Sequence, residues 1–171
     1  MIRIYSFIFV IAACLSLAGC GFHLRGSQTL PANVKAVAVN AAAPHSRLQR
    51  SLEDRLDVYQ IPQKAYQTVK AKGHNDTVLI KLMPETVERR LLSVFSTGQV
   101  AEYELIYGVS YQVTFPGHDP IQAYFEIMRD YQDDPDRVLA KSRELDLVVS
   151  EMRNEAADRI IRRLALQASE L

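Results

Sequence analysis

Val100-Ala101-Glu102-Tyr103-Glu104-Leu105-Ile106-Tyr107-Gly108-Val109-Ser110-Tyr111-Gln112-Val113-Thr114-Phe115 decides the fold. Ala101, Tyr103, Leu105, Tyr107, Val109, Tyr111, Val113 and Phe115 are apolar at every second position, and Glu102, Glu104, Ser110, Gln112 and Thr114 lie between them. Successive side chains of a strand point to opposite faces, so this period of two predicts one long strand with a buried face and a wet face. Upstream, Ser96-Thr97-Gly98-Gln99 has turn composition, and strand character runs back through Val87–Phe95 to an interruption at Pro84. Proline cannot donate to a ladder, which predicts a bulge or an edge position there. From Thr77, Val78, Ile80 and Leu82 alternate with Leu79, Lys81 and Met83. Downstream, Pro116-Gly117-His118-Asp119-Pro120 turns the chain, and Ile121–Tyr131 returns as a strand through Ala123, Phe125 and Ile127.

Helical patterns bracket this meander. Asp133-Asp134-Pro135-Asp136 reads as a helix start, with a capping acid, proline in the first turn and carboxylates at the positive dipole end. The helix runs to about Ala168, with a stripe of Leu145, Val148, Val149, Met152, Ala156, Ile160 and Leu164. At the other end, Val34–Asn40 is a short strand with Val37 and Val39 on one face and Ala36 and Ala38 on the other. Ser46 and Gln49 have capping-box spacing, and Leu48, Leu52, Leu56 and Tyr59 form a helical stripe that Pro62 ends. Gln63–Asp76 has no clear period and reads mostly as loop, with room for a short strand. Both helix stripes need a surface to cover, and the sheet is the one available. The expectation is an α+β fold: a two-layer αβ sandwich with a mixed sheet of about four strands and two helices packed on one face.

The N-terminus carries a different signal. Leu17-Ala18-Gly19-Cys20 is a lipoprotein cleavage box, preceded by Arg3 and an apolar run from Ile4 to Ala18. That run falls short of the ~20 residues of a membrane-spanning helix and reads as a removed secretory signal. Residues 1–19 are thus signal peptide, 20–33 a lipidated tether rich in turn formers, and 34–168 a single domain. Two or more acyl chains on Cys20 hold a protein stably on a bilayer, whereas one does so marginally. Gly21 in place of an inner-membrane-retaining aspartate points to the outer membrane, facing the periplasm. Cys14 leaves with the signal, so no thiol remains for an intramolecular disulfide.

Twenty Lys and Arg balance twenty Asp and Glu, and only Arg3 leaves with the signal, so the strongly basic face of a nucleic-acid binder is not expected. His23, His45, His74 and His118 fall in loops or beside turns without metal-ligand spacing. Asp133, Asp134 and Asp136 lack the spacing and glycine of a calcium loop. Glu85, Glu88, Glu102 and Glu104 read as solvated strand carboxylates, and no serine sits in a nucleophile elbow. The sequence therefore points to a non-enzyme without cofactor beyond a covalent lipid on Cys20. A lipid- or cell-wall-directed hydrolase would instead require convergent polar residues in a deep cleft. The basic groups beside apolar ones, around Glu88-Arg89-Arg90, the turn Phe95–Gln99, and Lys141 with Arg143, would suit a ligand with phosphates and acyl chains.

Cys20-Gly21-Phe22-His23-Leu24-Arg25-Gly26 resembles the mature start of the lipopolysaccharide-assembly lipoprotein family LptE. Ser93-Val94-Phe95 with Gly98-Gln99 and Ala101-Glu102-Tyr103 is similar to that family's central hairpin. Leu139-Ala140-Lys141, Glu151-Met152, Ala156-Ala157 and Ile160-Ile161-Arg162 follow its last helix. The resemblance implies a sandwich lodged as a plug, one to one, in the lumen of the outer-membrane barrel LptD. There it would assist barrel assembly, bind lipopolysaccharide and support its insertion into the outer leaflet. Of the two basic positions the family associates with lipopolysaccharide, one is present as Lys141 and the other is replaced by Ser96. Arg89 and Arg90, earlier on the same strand, are the candidates to supply the missing charge, and Phe95, Thr97 and Gln99 are candidate barrel contacts. The competing reading is a periplasmic lipoprotein that pilots or braces a different outer-membrane complex.

Overall fold

The structure is a computed structural model and describes residues 34–73, 75–134 and 137–169. Cys20, the signal, the tether, His23, His74, Pro135 and Asp136 lie outside the described residues.

Five strands and three helices make the fold: β1 (Ala36–Ala41), α1 (Arg47–Val58), α2 (Tyr66–Lys72), β2 (Thr77–Leu82), β3 (Thr86–Val94), β4 (Val100–Thr114), β5 (Ile121–Gln132) and α3 (Val138–Ser169). The decisive stretch is β4, the axis of a mixed sheet. On one side it pairs along nearly its whole length with antiparallel β5, from Val113 opposite Ile121 to Glu102 opposite Gln132. On its other side lie β2 and β3, one after the other, both antiparallel, with β1 parallel to β2 beyond. The expected four strands become five because the interruption at Pro84 divides one lane into β2 and β3.

That interruption is a one-residue bulge. Leu82 stands opposite Tyr111 and Thr86 opposite Gly108, so four steps along one strand match three along the other. A one-residue slip exchanges the faces of every following side chain. In β2 the even residues Val78, Ile80 and Leu82 face the main core; in β3 the odd residues Val87, Arg89 and Leu91 lie opposite core-facing Tyr107, Leu105 and Tyr103.

The period-two reading of β4 is borne out at Leu105, Tyr107, Val109, Tyr111 and Val113, and Phe115 continues it just past the strand; all are at most 2 % exposed. They meet Leu48, Leu52 and Leu56 of α1 and Met152, Ala156, Ala157, Ile160, Ile161 and Leu164 of α3 in one core. Ser46 caps α1, with the Gln49 amide donating to its hydroxyl at 3.2 Å. The helix ends before Pro62 in a left-handed turn: Gln60, at φ 57°, donates to the Asp57 carbonyl and Ile61 to that of Leu56, both at 2.9 Å. Asp158 of α3 ties the helices together, accepting from Arg55 at 2.7 Å and from the Tyr59 hydroxyl at 3.2 Å.

One expectation is corrected. The segment read as loop contains α2, which packs on the opposite face of the sheet, where Val69 and Tyr66 cover Ala38 and Leu79. Seven residues are too few to show a period, and Ala65 offers no side-chain cap to announce the helix. The short strand for which that segment had room is a single bridge between Gln63 and Val37. At the helix start expected around Asp133–Asp136, the Arg137 amide donates to the Asp134 carbonyl at 3.1 Å, and the regular last helix runs from Val138. The Asp133 amide still donates to the Ala101 carbonyl at 2.9 Å, so the sheet ladder holds this residue.

Candidate functional site

At the end of the sheet where β3, β4 and β5 extend past β2, α3 begins its run over β4 and β5 and leaves a groove of about 250 Å³. The hairpin register sets Tyr103 opposite Tyr131, and both rings line this groove. Lys141 and Leu145, one helical turn apart, and Ser142 line it from α3. Asp133 and Asp134 border it from the connection, and Arg89 reaches it from β3.

The Lys141 ammonium lies 5.1 Å from the centre of the Tyr131 ring and 3.0 Å from Glu144. Hydrogen bonding to the Glu144 carboxylate makes the Lys141 ammonium hold its proton more firmly than usual. Tyr131 donates its hydroxyl hydrogen to the Lys141 carbonyl at 2.6 Å. Its phenol is shifted up by desolvation, with nearby Lys141 and Arg89 acting against the shift. The groove is thus lined by two aromatic rings, two cations on different elements and two carboxylates.

The sequence-predicted residues separate. Arg89 and Lys141 share the groove, whereas Arg90, one residue on, points to the other face of the sheet and pairs with Glu104. Ser96 sits in the exposed tip turn, closed by bonds from Phe95 N–H to the Gln99 carbonyl at 2.8 Å and from Gly98 N–H to the Phe95 carbonyl at 2.9 Å. Gly98 occupies the left-handed region at φ 84°, which favours glycine. Phe95, Thr97 and Gln99 are exposed there, and none of them lines the groove. The glutamates read as solvated are engaged in part: Glu102 accepts from Ser93 at 2.8 Å, and Glu104 from Arg90. Glu85, in the bulge, turns toward α3, meeting buried Arg153 at 3.3 Å and accepting from the Tyr107 hydroxyl.

The sequence reading missed Tyr103 and Tyr131 as a facing pair. The turn at Pro116–Pro120 held the signal, because a hairpin closed there brings the two together. Among the described residues no helix is long and apolar enough to cross a membrane, and no three His, Cys, Asp or Glu side chains gather around a possible ion.

Fold and groove together define an α+β sandwich domain with a mixed aromatic and charged groove at one end of its sheet. Comparison with known proteins is consistent across sequence and structure. A family model described as LptE, lipopolysaccharide-assembly, matches residues 34–164. The LPS-assembly lipoprotein LptE of Photorhabdus laumondii is 33 % identical over 152 residues, covering 89 % of this chain and 80 % of its own length. That of Pectobacterium atrosepticum is 29 % identical over 162 residues, covering 95 % and 85 %. The crystal structure of rare lipoprotein B from Shewanella oneidensis superposes with a TM-score of 0.69 at 37 % identity, covering 79 % of this chain and 97 % of that one. The chain belongs to the LptE family of lipopolysaccharide-assembly lipoproteins.

Proposed function

We propose that this chain is a non-enzymatic outer-membrane lipoprotein, anchored through acyl chains on Cys20. In this reading it plugs the LptD β-barrel, assists its assembly, binds lipopolysaccharide and supports its insertion into the outer leaflet. The observation that carries the reading is the LptE family match across residues 34–164. Physical features agree with it. A domain enclosed by a polar lumen keeps a polar exterior, and the sheet face away from α1 and α3 carries Glu102, Glu104, Ser110, Gln112 and Thr114. β3 is exposed along almost its whole length, as suits a strand covered by a second protein. Val87, Leu91 and Phe95 are each about half exposed, at 44 %, 54 % and 45 %. Val87 and Leu91 flank Arg89 on the same face of β3, giving the mixture of apolar surface and cations that an acylated phosphate requires.

Affinity purification of the full chain from outer membranes tests this directly. The expected result is recovery of LptD in equal amount, together with a chain labelled by radioactive fatty acid on Cys20. Recovery of a different outer-membrane complex would establish the piloting role instead. Lys141→Glu is expected to weaken lipopolysaccharide binding with an unchanged circular dichroism spectrum; unchanged affinity would defeat the assignment of Lys141.

A further inference from the structure

We propose that Arg89, and not Arg90, is the second cation of the ligand site, and that with Lys141 it holds the phosphate of a phosphorylated sugar; the proposal rests on the lipopolysaccharide-binding reading above. Three observations carry it. First, the bulge at Pro84-Glu85 sets the parity of β3, so that Arg89 stands opposite core-facing Leu105 and enters the groove. Second, Arg90 stands opposite Glu104 on the other face and is paired with it there. Third, among the described residues no hydrogen bond or ion pair engages the Arg89 guanidinium, while every other charged side chain used in this argument has a partner. A planar guanidinium with unused donors beside an ammonium is the arrangement that grips a phosphate through two parallel hydrogen bonds and a point charge.

The two carboxylates that line the groove narrow the class of ligand. Asp133 and Asp134 would oppose a bare anion, because two carboxylates offset two cations. A sugar phosphate satisfies both signs of charge: its phosphate meets Arg89 and Lys141, and its hydroxyls or amide N–H groups donate to the carboxylates. Tyr103, partly exposed where it lines the groove, supplies apolar surface for the sugar ring. Lys141 must leave Glu144 to bind, and the half-exposed Glu144 carboxylate, an i,i+3 partner open to water, makes the exchange cheap.

The test measures binding of purified lipopolysaccharide to the full-length lipidated protein in detergent, for the natural chain and for Arg89→Gln, Arg89→Lys, Arg90→Gln and Lys141→Gln. Circular dichroism and melting temperature verify folding. Loss of one charge-assisted phosphate contact corresponds to about tenfold in affinity. Arg89→Gln and Lys141→Gln are each expected to weaken binding about tenfold, Arg89→Lys to weaken it about threefold because it keeps the charge but not the second parallel hydrogen bond, and Arg90→Gln to change it less than about twofold. With lipopolysaccharide stripped of its phosphates, the natural chain and Arg89→Gln should bind alike. If Lys141→Gln weakens binding and Arg89→Gln does not, the Arg89 assignment is overturned while lipopolysaccharide binding stands. Equal losses for Arg89→Gln and Arg90→Gln would reduce the effect to unspecific charge and overturn it as well. Failure of the natural chain to bind at all defeats the underlying reading instead.

Discussion

Replacing Glu85 by alanine should cost far more stability than its place in a short connection suggests. The Arg153 side chain is only 8 % exposed, and Glu85, 3.3 Å away, is the one carboxylate that pairs with it among the described residues. The guanidinium also lies 5.9 Å from the centre of the Tyr107 ring, and the Tyr107 hydroxyl donates to the same carboxylate. Removing one partner of a buried ion pair costs roughly 3–5 kcal/mol, because the remaining charge stays desolvated without compensation. Glu85 is 24 % exposed, so water reaches the vacated space and the lower end applies, about 3 kcal/mol. For a domain of this size that lowers the melting temperature by roughly 10 °C. Arg153→Met should cost less, about 1–2 kcal/mol, because a thioether refills the space over the ring and the stranded carboxylate is the better hydrated partner. The double variant should then be more stable than the sum of the single losses predicts, with a coupling of at least about 1 kcal/mol. Urea unfolding followed by circular dichroism at neutral pH measures all three. A loss below about 0.5 kcal/mol for Glu85→Ala, or strict additivity in the cycle, would refute the reasoning.

Three further outcomes follow from local geometry. Gln60→Gly should stabilise the protein by about 0.5–1 kcal/mol in the same urea experiment, since Gln60 ends α1 at φ 57°, where glycine carries no Cβ penalty. Gly108→Ala should destabilise by about 1–2 kcal/mol, because its Cβ would fall 2.5 Å from the Thr86 hydroxyl and 3.3 Å from that of Tyr124; Thr86→Ala should recover most of the loss. The phenol of Tyr107 is pushed far above its usual 10.0, first by burial and then by Glu85. The folded chain therefore keeps this proton where the unfolded chain loses it, so stability is full below pH ~10 and falls as pH rises beyond; Tyr107→Phe should flatten that alkaline limb of a stability–pH profile.

The groove was half legible in the sequence, and the division has a physical cause. Lys141 could be named through the resemblance of Leu139-Ala140-Lys141 to the family's last helix, but the arginine that shares its groove could not, because Arg89 and Arg90 are adjacent and chemically alike. Adjacent strand residues face opposite ways, so choosing between them requires the register of β3 against β4. A single extra residue at Pro84-Glu85 sets that register. The proline signalled a disruption, but only the carboxylate of Glu85 closing on Arg153, sixty-eight residues away in sequence, shows which way the strand leaves it. The tyrosine pair in the groove likewise depends on hairpin closure rather than on any local pattern.

By itself the sequence determined the strand that anchors the sheet, the two amphipathic helices that cover it, and the Ser46 cap. Those features depend on periodicity and on bonds between residues three or four apart, which the order of residues states directly. Tertiary structure alone decided the split of one lane into β2 and β3, the short helix covering the second face, and the side of the sheet on which each arginine stands. Those depend on contacts between segments distant in the chain, whose energies no local window contains.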